Sequence, residues 1–195
     1  MKKLVLSTLL FGIFSTQVHA DYIPSQQSTA SLAARYSTMP FQQLLTEAKA
    51  GQAAAQFYVA TRYQFGKEVP KDLTQAFAWY KKAADQGVAA AQLNVGRMLA
   101  DGLGTSKSES QARKYLEQAA SHGDNRASFN LALMEEHKKN YIGAYQWYEL
   151  STRDGMLDNK VINMSETKKT ALAANLTPEQ IRQAVDRADK WIQAQ

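Results

Sequence analysis

GQAAAQFYVATRYQFGKEVPKDLTQAFAWYKKAADQ, residues 51–86, and GVAAAQLNVGRMLADGLGTSKSESQARKYLEQAASH, residues 87–122, are two copies of one unit. Gly51, Gly87 and Gly123 open successive copies at equal steps of 36 residues. A third copy, GDNRASFNLALMEEHKKNYIGAYQWYELSTRD at 123–154, lacks four residues from its middle and is followed by Gly155. Self-similarity at a period of roughly 20–50 residues marks a protein built by stacking identical supersecondary units.

Superimposing the copies turns identities into packing. Ala55, Ala91 and Ala127 share a column, followed by Phe57, Leu93 and Phe129, then Val59, Val95 and Leu131. Ala60, Gly96 and Ala132 form a small-residue column, where a second helix can approach closely. Gly66 and Gly102 are expected to end this first helix as left-handed C-caps, and Lys138-Lys139-Asn140 makes a shorter turn in the third copy. In the second half Ala76, Trp79, Tyr80 and Ala83 recur as Ala112, Tyr115, Leu116 and Ala119, and as Ala144, Trp147, Tyr148 and Ser151. Their i, i+3, i+4, i+7 spacing is one face of an α-helix. Asp72 and Ser108 are expected to cap these second helices. Each unit is thus a helix, a loop and an antiparallel helix, and such hairpins must stack to bury their apolar faces.

The pattern Ala-Gln-x-x-Val-(Ala/Gly), then Gly66 with Val69-Pro70-Lys71-Asp72, then Ala76-x-x-Trp79-Tyr80-x-x-Ala83-Ala84-x-x-Gly87, resembles a Sel1-like repeat, a relative of the tetratricopeptide repeat. The resemblance covers residues 51–155; Gly104-Thr105-Ser106-Lys107 departs from the loop signature, and in the third copy only the helix columns survive. It implies an all-α fold, a right-handed α-solenoid of antiparallel helix pairs with capping helices at both ends.

Outward from the repeats, Phe41, Leu44, Leu45 and Ala48 follow Pro40 on one face, a half-repeat that caps the N-terminal end over residues 40–50. Residues 21–39, rich in Ser, Thr, Gln and Ala, read as a mobile leader. Before them Lys2 and Lys3, the apolar run Leu4–Phe14 and Val18-His19-Ala20 have the form of a secretory signal peptide over residues 1–20, cleaved after Ala20. The run is shorter than the roughly 20 apolar residues of a membrane span. Periplasmic location follows as the expectation, with secretion as the alternative and no membrane insertion of the mature form. Beyond Gly155, residues 155–195 read as two capping helices. The first buries Leu157, Val161, Met164 and Leu172; the second buries Ile181, Val185, Ala188 and Ile192, with Trp191 beside them. Thr177-Pro178-Glu179-Gln180 is a helix-start signal, and Sel1-like proteins often end in such a helix.

Composition narrows the chemistry. The net charge of +5 falls by two when Lys2 and Lys3 leave with the leader, and the remaining bases are dispersed, which argues against nucleic acid as a partner. The chain has no cysteine, so an exported fold must be held by packing alone. Some cysteine-rich members of the family have been linked to β-lactam binding, a property that does not transfer to a cysteine-free chain. Ser165-Glu166-Thr167-Lys168 matches S-x-x-K, the serine–lysine pattern of penicillin-recognising enzymes, but lies in a helical context and reads as a solvated helix face. His122 and His137, each near a helix C-terminus, suit the helix dipole and have no partner at metal-binding spacing. No cofactor, metal or catalytic residue is expected.

Tyr58 and Phe65 sit in columns that vary, with Asn94 and Asn130 in the first and Asp101 and His137 in the second. Columns that vary between fixed neighbours are where an array carries specificity. The first helices of such a solenoid line its concave wall, which here comprises Tyr58, Thr61, Phe65, Asn94, Arg97, Asp101, Arg126, Asn130 and Leu133. The arginines and asparagines can hold a carboxylate or backbone amides, and Tyr58 and Phe65 offer apolar contact. Tyr58 and Arg97 together are the pair expected to matter to binding and not to stability. These readings point to a non-enzymatic scaffold or adaptor that binds a segment of another envelope or secreted protein. The resemblance implies a regulator, an inhibitor, an immunity protein or a component of envelope machinery. The alternative is a cell-wall enzyme or ligand-binding protein acting on peptidoglycan or β-lactams.

Overall fold

The computed structural model describes residues 29–153 and 158–195. Among them are ten α-helices and no strand: α1 (Thr29–Thr38), α2 (Phe41–Lys49), α3 (Ala53–Phe65), α4 (Leu73–Ala84), α5 (Ala89–Asp101), α6 (Glu109–Ser121), α7 (Asn125–His137), α8 (Tyr141–Arg153), α9 (Asn159–Ala173) and α10 (Pro178–Gln193). Each helix from α2 to α8 packs on the one that follows it, which makes a solenoid of helix pairs. The expected leader over residues 1–20, its cleavage site and Leu157 lie outside the described residues.

The repeat columns form the core. Ala55, Ala91 and Ala127 are fully buried, as are Val59, Val95 and Leu131, and Ala76, Ala112 and Ala144. Burying one large apolar side chain stabilises by about 1.5–3 kcal/mol, so the core is a sum of many small terms, repeated. In the small-residue column Ala60 and Ala132 are fully buried. At Gly96 even a Cβ would stand 2.6 Å from Leu116 Cγ and 3.2 Å from the Ala112 carbonyl oxygen, so α5 and α6 meet there without room for a methyl group. Phe57 and Tyr115 are only half-buried, and the Tyr115 hydroxyl donates to Asp85 Oδ1 at 2.8 Å.

The Ala-Gln of each copy has its own physical reason. The buried Gln56 donates from Nε2 to the Ala48 carbonyl at 3.1 Å, and Gln92 donates to the Ala84 carbonyl at 3.3 Å. In each case a first helix adds a second donor to a last-turn carbonyl of the helix before it, which otherwise takes the N–H of the repeat glycine, from Gly51 at 3.1 Å and from Gly87 at 2.9 Å. The other ends of these amides are taken by Gln86, Nε2 to Gln56 Oε1 at 2.8 Å, and by His122, whose Nδ1 lies 3.2 Å from Gln92 Oε1. Gln86 and His122 occupy one column, so His122 is a hydrogen-bonding element of the repeat; its Nδ1 also lies 2.8 Å from the Gln118 carbonyl.

The loops repeat as well. Gly66 and Gly102 are left-handed C-caps, with Lys67 N–H returning to the Arg62 carbonyl and Leu103 N–H to the Met98 carbonyl. Gly104, in the loop that departed from the family signature, has φ +68° and lies so close to α4 that a Cβ would be 2.1 Å from the Leu73 carbonyl oxygen. Its counterpart Glu68 takes φ +65° despite its side chain, and uses that side chain to cap α2, Oε2 accepting from Phe41 N–H at 3.0 Å. Each loop thus braces the start of the preceding second helix. Asp72 caps α4 by accepting from Gln75 N–H at 3.0 Å, whereas Ser108 makes no side-chain cap bond.

The two ends differ from expectation. Residues 29–38, read as part of a mobile leader, form α1 on the open side of α3. Tyr36 is buried there, its hydroxyl donating to Glu47 Oε2 at 2.8 Å. Buried Arg62 ties the turn after α1 by donating from Nη2 to the carbonyls of Ser37 at 2.9 Å and Met39 at 3.2 Å. One aromatic in a polar stretch leaves no periodicity to read. At the other end Thr177 and Gln180 form the expected reciprocal capping box. However, α9 turns Met164 outward (43% exposed) and buries Ser165 instead, while Ile192 is 45% exposed and Ala184 and Ala188 face inward. Trp191 packs on Trp147 with ring centroids 4.8 Å apart at 68°. Helices α9 and α10 hardly touch each other; both pack on α8, so the cap is a splayed pair and not another hairpin.

Candidate functional site

Packing the second helices and the apolar faces of the first leaves one face of α3, α5 and α7 open, flanked by α1 at one end and α9 at the other. The nine residues expected on that wall fall in three depressions. Tyr58, Thr61 and Phe65 line one of about 240 Å³ with Ser37, Arg62 and Lys67. Asn94, Arg97, Arg126 and Asn130 line a second of about 370 Å³, between α5, α7 and α9. Asp101, Asn130 and Leu133 line a third of about 410 Å³, with Lys107, Glu109, His137 and Lys138 around it.

These residues are not equally free. Phe65 is 74% exposed, an unusual state for a large apolar side chain at the end of a helix. Tyr58 is held in an aromatic row, 6.2 Å from Tyr36 and 5.4 Å edge-on to Phe57, which in turn contacts Tyr80 at 5.5 Å. Tyr58 is half-buried, so its ring both packs against Tyr36 of α1 and lines the depression, and replacing it bears on stability as well as on the wall. Thr61 donates its hydroxyl to the Tyr58 carbonyl at 2.6 Å. Asn94 and Asn130 each give one N–H to a carbonyl one turn back on their own helix, to Ala90 at 2.8 Å and Arg126 at 2.6 Å, which fixes the amide and leaves its oxygen free.

The two arginines differ in the same way. Arg126 is clamped by Asp124, a fully buried carboxylate: Nε donates to Oδ1 at 2.9 Å and Nη2 to Oδ2 at 2.7 Å. That bond, against the opposing effect of burial, holds Arg126 above the ordinary arginine range. The guanidinium keeps its remaining N–H donors for another acceptor. Arg97 is exposed and makes no ion pair among the described residues. It lies near Tyr80, whose phenol is pushed up by burial and drawn partly back by the Arg97 charge.

The serine–lysine pattern does not assemble. Ser165 is buried and its Oγ meets Ser151 Oγ at 2.6 Å, while Lys168 Nζ is 2.8 Å from Glu136 Oε2. The serine has a buried hydroxyl for a partner and the lysine a carboxylate, so neither is available to the other; the reading of this segment as a solvated face also fails at Ser165. No cluster of metal-ligating side chains exists among the described residues. Sequence reasoning missed what α9 adds to the wall, namely Lys160, Val161 and Met164. The sequence held no signal for it, since Val161 and Met164 both fall on the stripe expected to be buried.

Comparison with known proteins agrees with this architecture. A family model described as "Sel1 repeat" matches residues 53–88, 89–124 and 126–156, more than half of the chain and shifted slightly from the glycine-to-glycine units. The chain is 35% identical over 83 residues to the secretory immunoglobulin A-binding protein EsiB of Escherichia coli O6:H1 (strain CFT073), a match covering 43% of this chain and 14% of that protein. The crystal structure of c5321, a protective antigen of uropathogenic Escherichia coli with an SLR fold, superimposes with a TM-score of 0.70 at 24% identity, over 83% of this chain and 36% of that one. A Sel1 repeat protein from Oxalobacter formigenes superimposes with a TM-score of 0.58 at 22% identity, over 88% of this chain and 91% of that one. The chain therefore spans a minor part of the first two and nearly all of the third.

Proposed function

The chain belongs to the Sel1 repeat family, whose members are generally protein-interaction scaffolds, and from that premise we propose that it is a non-enzymatic periplasmic adaptor that binds a segment of another envelope protein along the wall of α3, α5 and α7. The observation that carries this reading is the pairing of Phe65, 74% exposed, with an unpaired Arg97 on the same row of first helices. Neither side chain serves the fold, and an aromatic or an arginine on an open surface is the type of residue that dominates protein interfaces. The partial likeness to a protein named for binding immunoglobulin A supports a protein as the ligand class. No helix among the described residues is long and apolar enough to cross a membrane.

A photoreactive amino acid installed at Phe65 or at Arg97, with exposed Ala78 on α4 as control, tests the wall directly. Expressed in cells and irradiated, the first two positions should form a specific cross-linked adduct and Ala78 should not. Adducts only from Ala78 would move the site to the second helices. Recovery of the protein from the periplasmic fraction beginning at Asp21 checks export; an intact Met1 would refute it. Phe65→Ala with Arg97→Ala, replacing the Tyr58 pairing, should leave Tm nearly unchanged while weakening capture of the cross-linked partner.

A further inference from the structure

Charge is not spread evenly over the wall. The depression on α3 is mainly apolar, bounded by Phe65 and Tyr58, with Lys67 and Arg62 at its edge, the latter paired to Glu68 at 3.1 Å. The one beyond α7 mixes Asp101 and Glu109 with Lys107 and Lys138, the last paired to Glu109 at 2.5 Å. The middle cavity, between α5, α7 and α9, is different. Three cations line it, Arg97, Arg126 and Lys160, and no acidic side chain does. Two carboxylates stand near it, and both are committed. Asp124 is buried against Arg126, and Asp158 Oδ1 accepts from the backbone N–H groups of Lys160 at 2.9 Å and Val161 at 3.4 Å as the cap of α9. Asp101, one turn along α5 from Arg97, makes no ion pair with it and lines the neighbouring cavity instead. Arg97 and Lys160 have no ion-pair partner among the described residues.

We propose that this cavity receives an acidic segment of the bound protein, an aspartate or glutamate side chain sitting between Arg97, Arg126 and Lys160 while the flanking chain runs along the first helices. The proposal rests on the wall-binding reading above and adds the chemistry of the ligand. Arg126 is pre-positioned by a buried carboxylate and has spare donors in a planar fork that matches a carboxylate. Asn94 and Asn130, their amides anchored one turn back, present oxygens that can accept from the backbone N–H groups of an extended segment. Met164 and Val161 form an apolar rim on α9, where a flexible thioether adapts to the residue beside the acid. The apolar depression at Phe65 then takes a hydrophobic residue further along the same segment. A polypeptide is favoured over nucleic acid because the cations of the flanking depressions are mostly offset, Arg62 by Glu68 and Lys138 by Glu109, so that unopposed charge clusters in the middle cavity and does not run as a stripe along the wall.

Selection of random linear peptides displayed on phage, carried out with the chain from residue 21 to 195 and with an Arg97→Glu, Lys160→Glu variant, tests the assignment. The wild-type chain should enrich peptides containing Asp or Glu beside an apolar residue. A selected peptide should bind on the order of tenfold less tightly to the variant, and less tightly as salt is raised. Unchanged Tm and helical dichroism would show that the variant is folded; should it not be, Arg97→Gln with Lys160→Gln serves in its place. Peptides without acidic enrichment, or the same peptides recovered by the variant, overturn the acidic ligand and leave segment binding in place. Enrichment of no peptide over the starting library removes both. Displacement of the selected peptide by a short oligonucleotide at equal charge and physiological salt overturns the choice of a polypeptide.

Discussion

The first two repeats and the third solve one packing problem with different materials. Helices α3 to α6 meet through alanine, glycine and aliphatic columns, with glutamine amides closing carbonyls between units. From α7 onward the same columns are studded with polar groups. Ser151 stands where Ala83 and Ala119 do and bonds Ser165 of α9. Asn125 stands where Ala53 and Ala89 do, fully buried with neither amide atom hydrogen-bonded. Glu135 is paired to Arg113 and accepts from Asn140 Nδ2 at 2.6 Å; Glu136 takes Tyr148 Oη at 2.6 Å and Lys168 at 2.8 Å; Glu149 takes Lys169 and Arg153, each at 2.6 Å. The glycine at the end of the first helix gives way to Lys139 at φ +59°. Internal units dock on copies of themselves, whereas the third docks on a cap of different sequence. A polar network fixes which surface that cap must meet, because its groups are satisfied in one arrangement only.

The largest effect should come from the column common to both regions. Ala60→Leu and Ala132→Leu should each cost about 1–3 kcal/mol in urea unfolding, since neither site has room. Gly96→Ala, a change that in an open helix gains up to about 1 kcal/mol, should also destabilise, because the added carbon meets Leu116 at 2.6 Å. A stabilised Gly96→Ala, or wild-type unfolding of both leucine variants, would break the equivalence of the columns.

The second effect separates the regions. Ser151→Ala should cost about 1–2 kcal/mol by stranding the Ser165 hydroxyl, and adding Ser165→Ala should recover most of it, as both groups are then apolar. If the double variant is as unstable as the single, the bond is not what holds α9 to α8. Third and opposite in sign, Asn125→Ala restores the residue of the other two repeats and removes two unsatisfied atoms, so it should raise stability by about 1 kcal/mol. Any loss there would show that the amide has a partner in solution.

The smallest effect is pH-dependent. Burial alone would raise Glu136 and Glu149, but hydrogen bonds from Lys168 and Tyr148 to the first and from Lys169 to the second hold both carboxyls below the ordinary range. A folded carboxyl below its unfolded value stabilises above the unfolded value and loses that contribution as pH falls through the folded one. Between about pH 5 and about pH 3 the amides of α8 and α9 should therefore lose hydrogen-exchange protection before those of α3. Simultaneous loss would mean that the polar network adds nothing particular to the cap.

Helix identity, helix ends and core columns were legible from residues 51–154, because a repeat supplies internal replicates. A position alanine in all copies is constrained by a close neighbour common to the copies, and one that drifts from Tyr58 to Asn94 to Asn130 has no such shared contact. That logic stops at the edges of the array. Nothing in 21–39 announced that Tyr36 would find both a ring and a carboxylate, and the apolar pattern of α9 favoured burying Met164 over Ser165. A serine hydroxyl is inward only if another hydroxyl meets it, and Ser151 lies on a different helix. By itself, then, the sequence determined the unit, its fold and the row of first-helix residues that the second helices leave uncovered, since these depend on periodicity within one chain segment. The tertiary structure alone decided that α1 covers Tyr58, that Asp124 clamps Arg126 and leaves Arg97 unpaired, and that α9 brings Lys160 to them. The first and the last are contacts between segments of unlike sequence, set by which groups face one another, and no spacing along the chain encodes them; the Asp124–Arg126 bond is local, two residues apart, and turns on the burial of Asp124 at the start of α7.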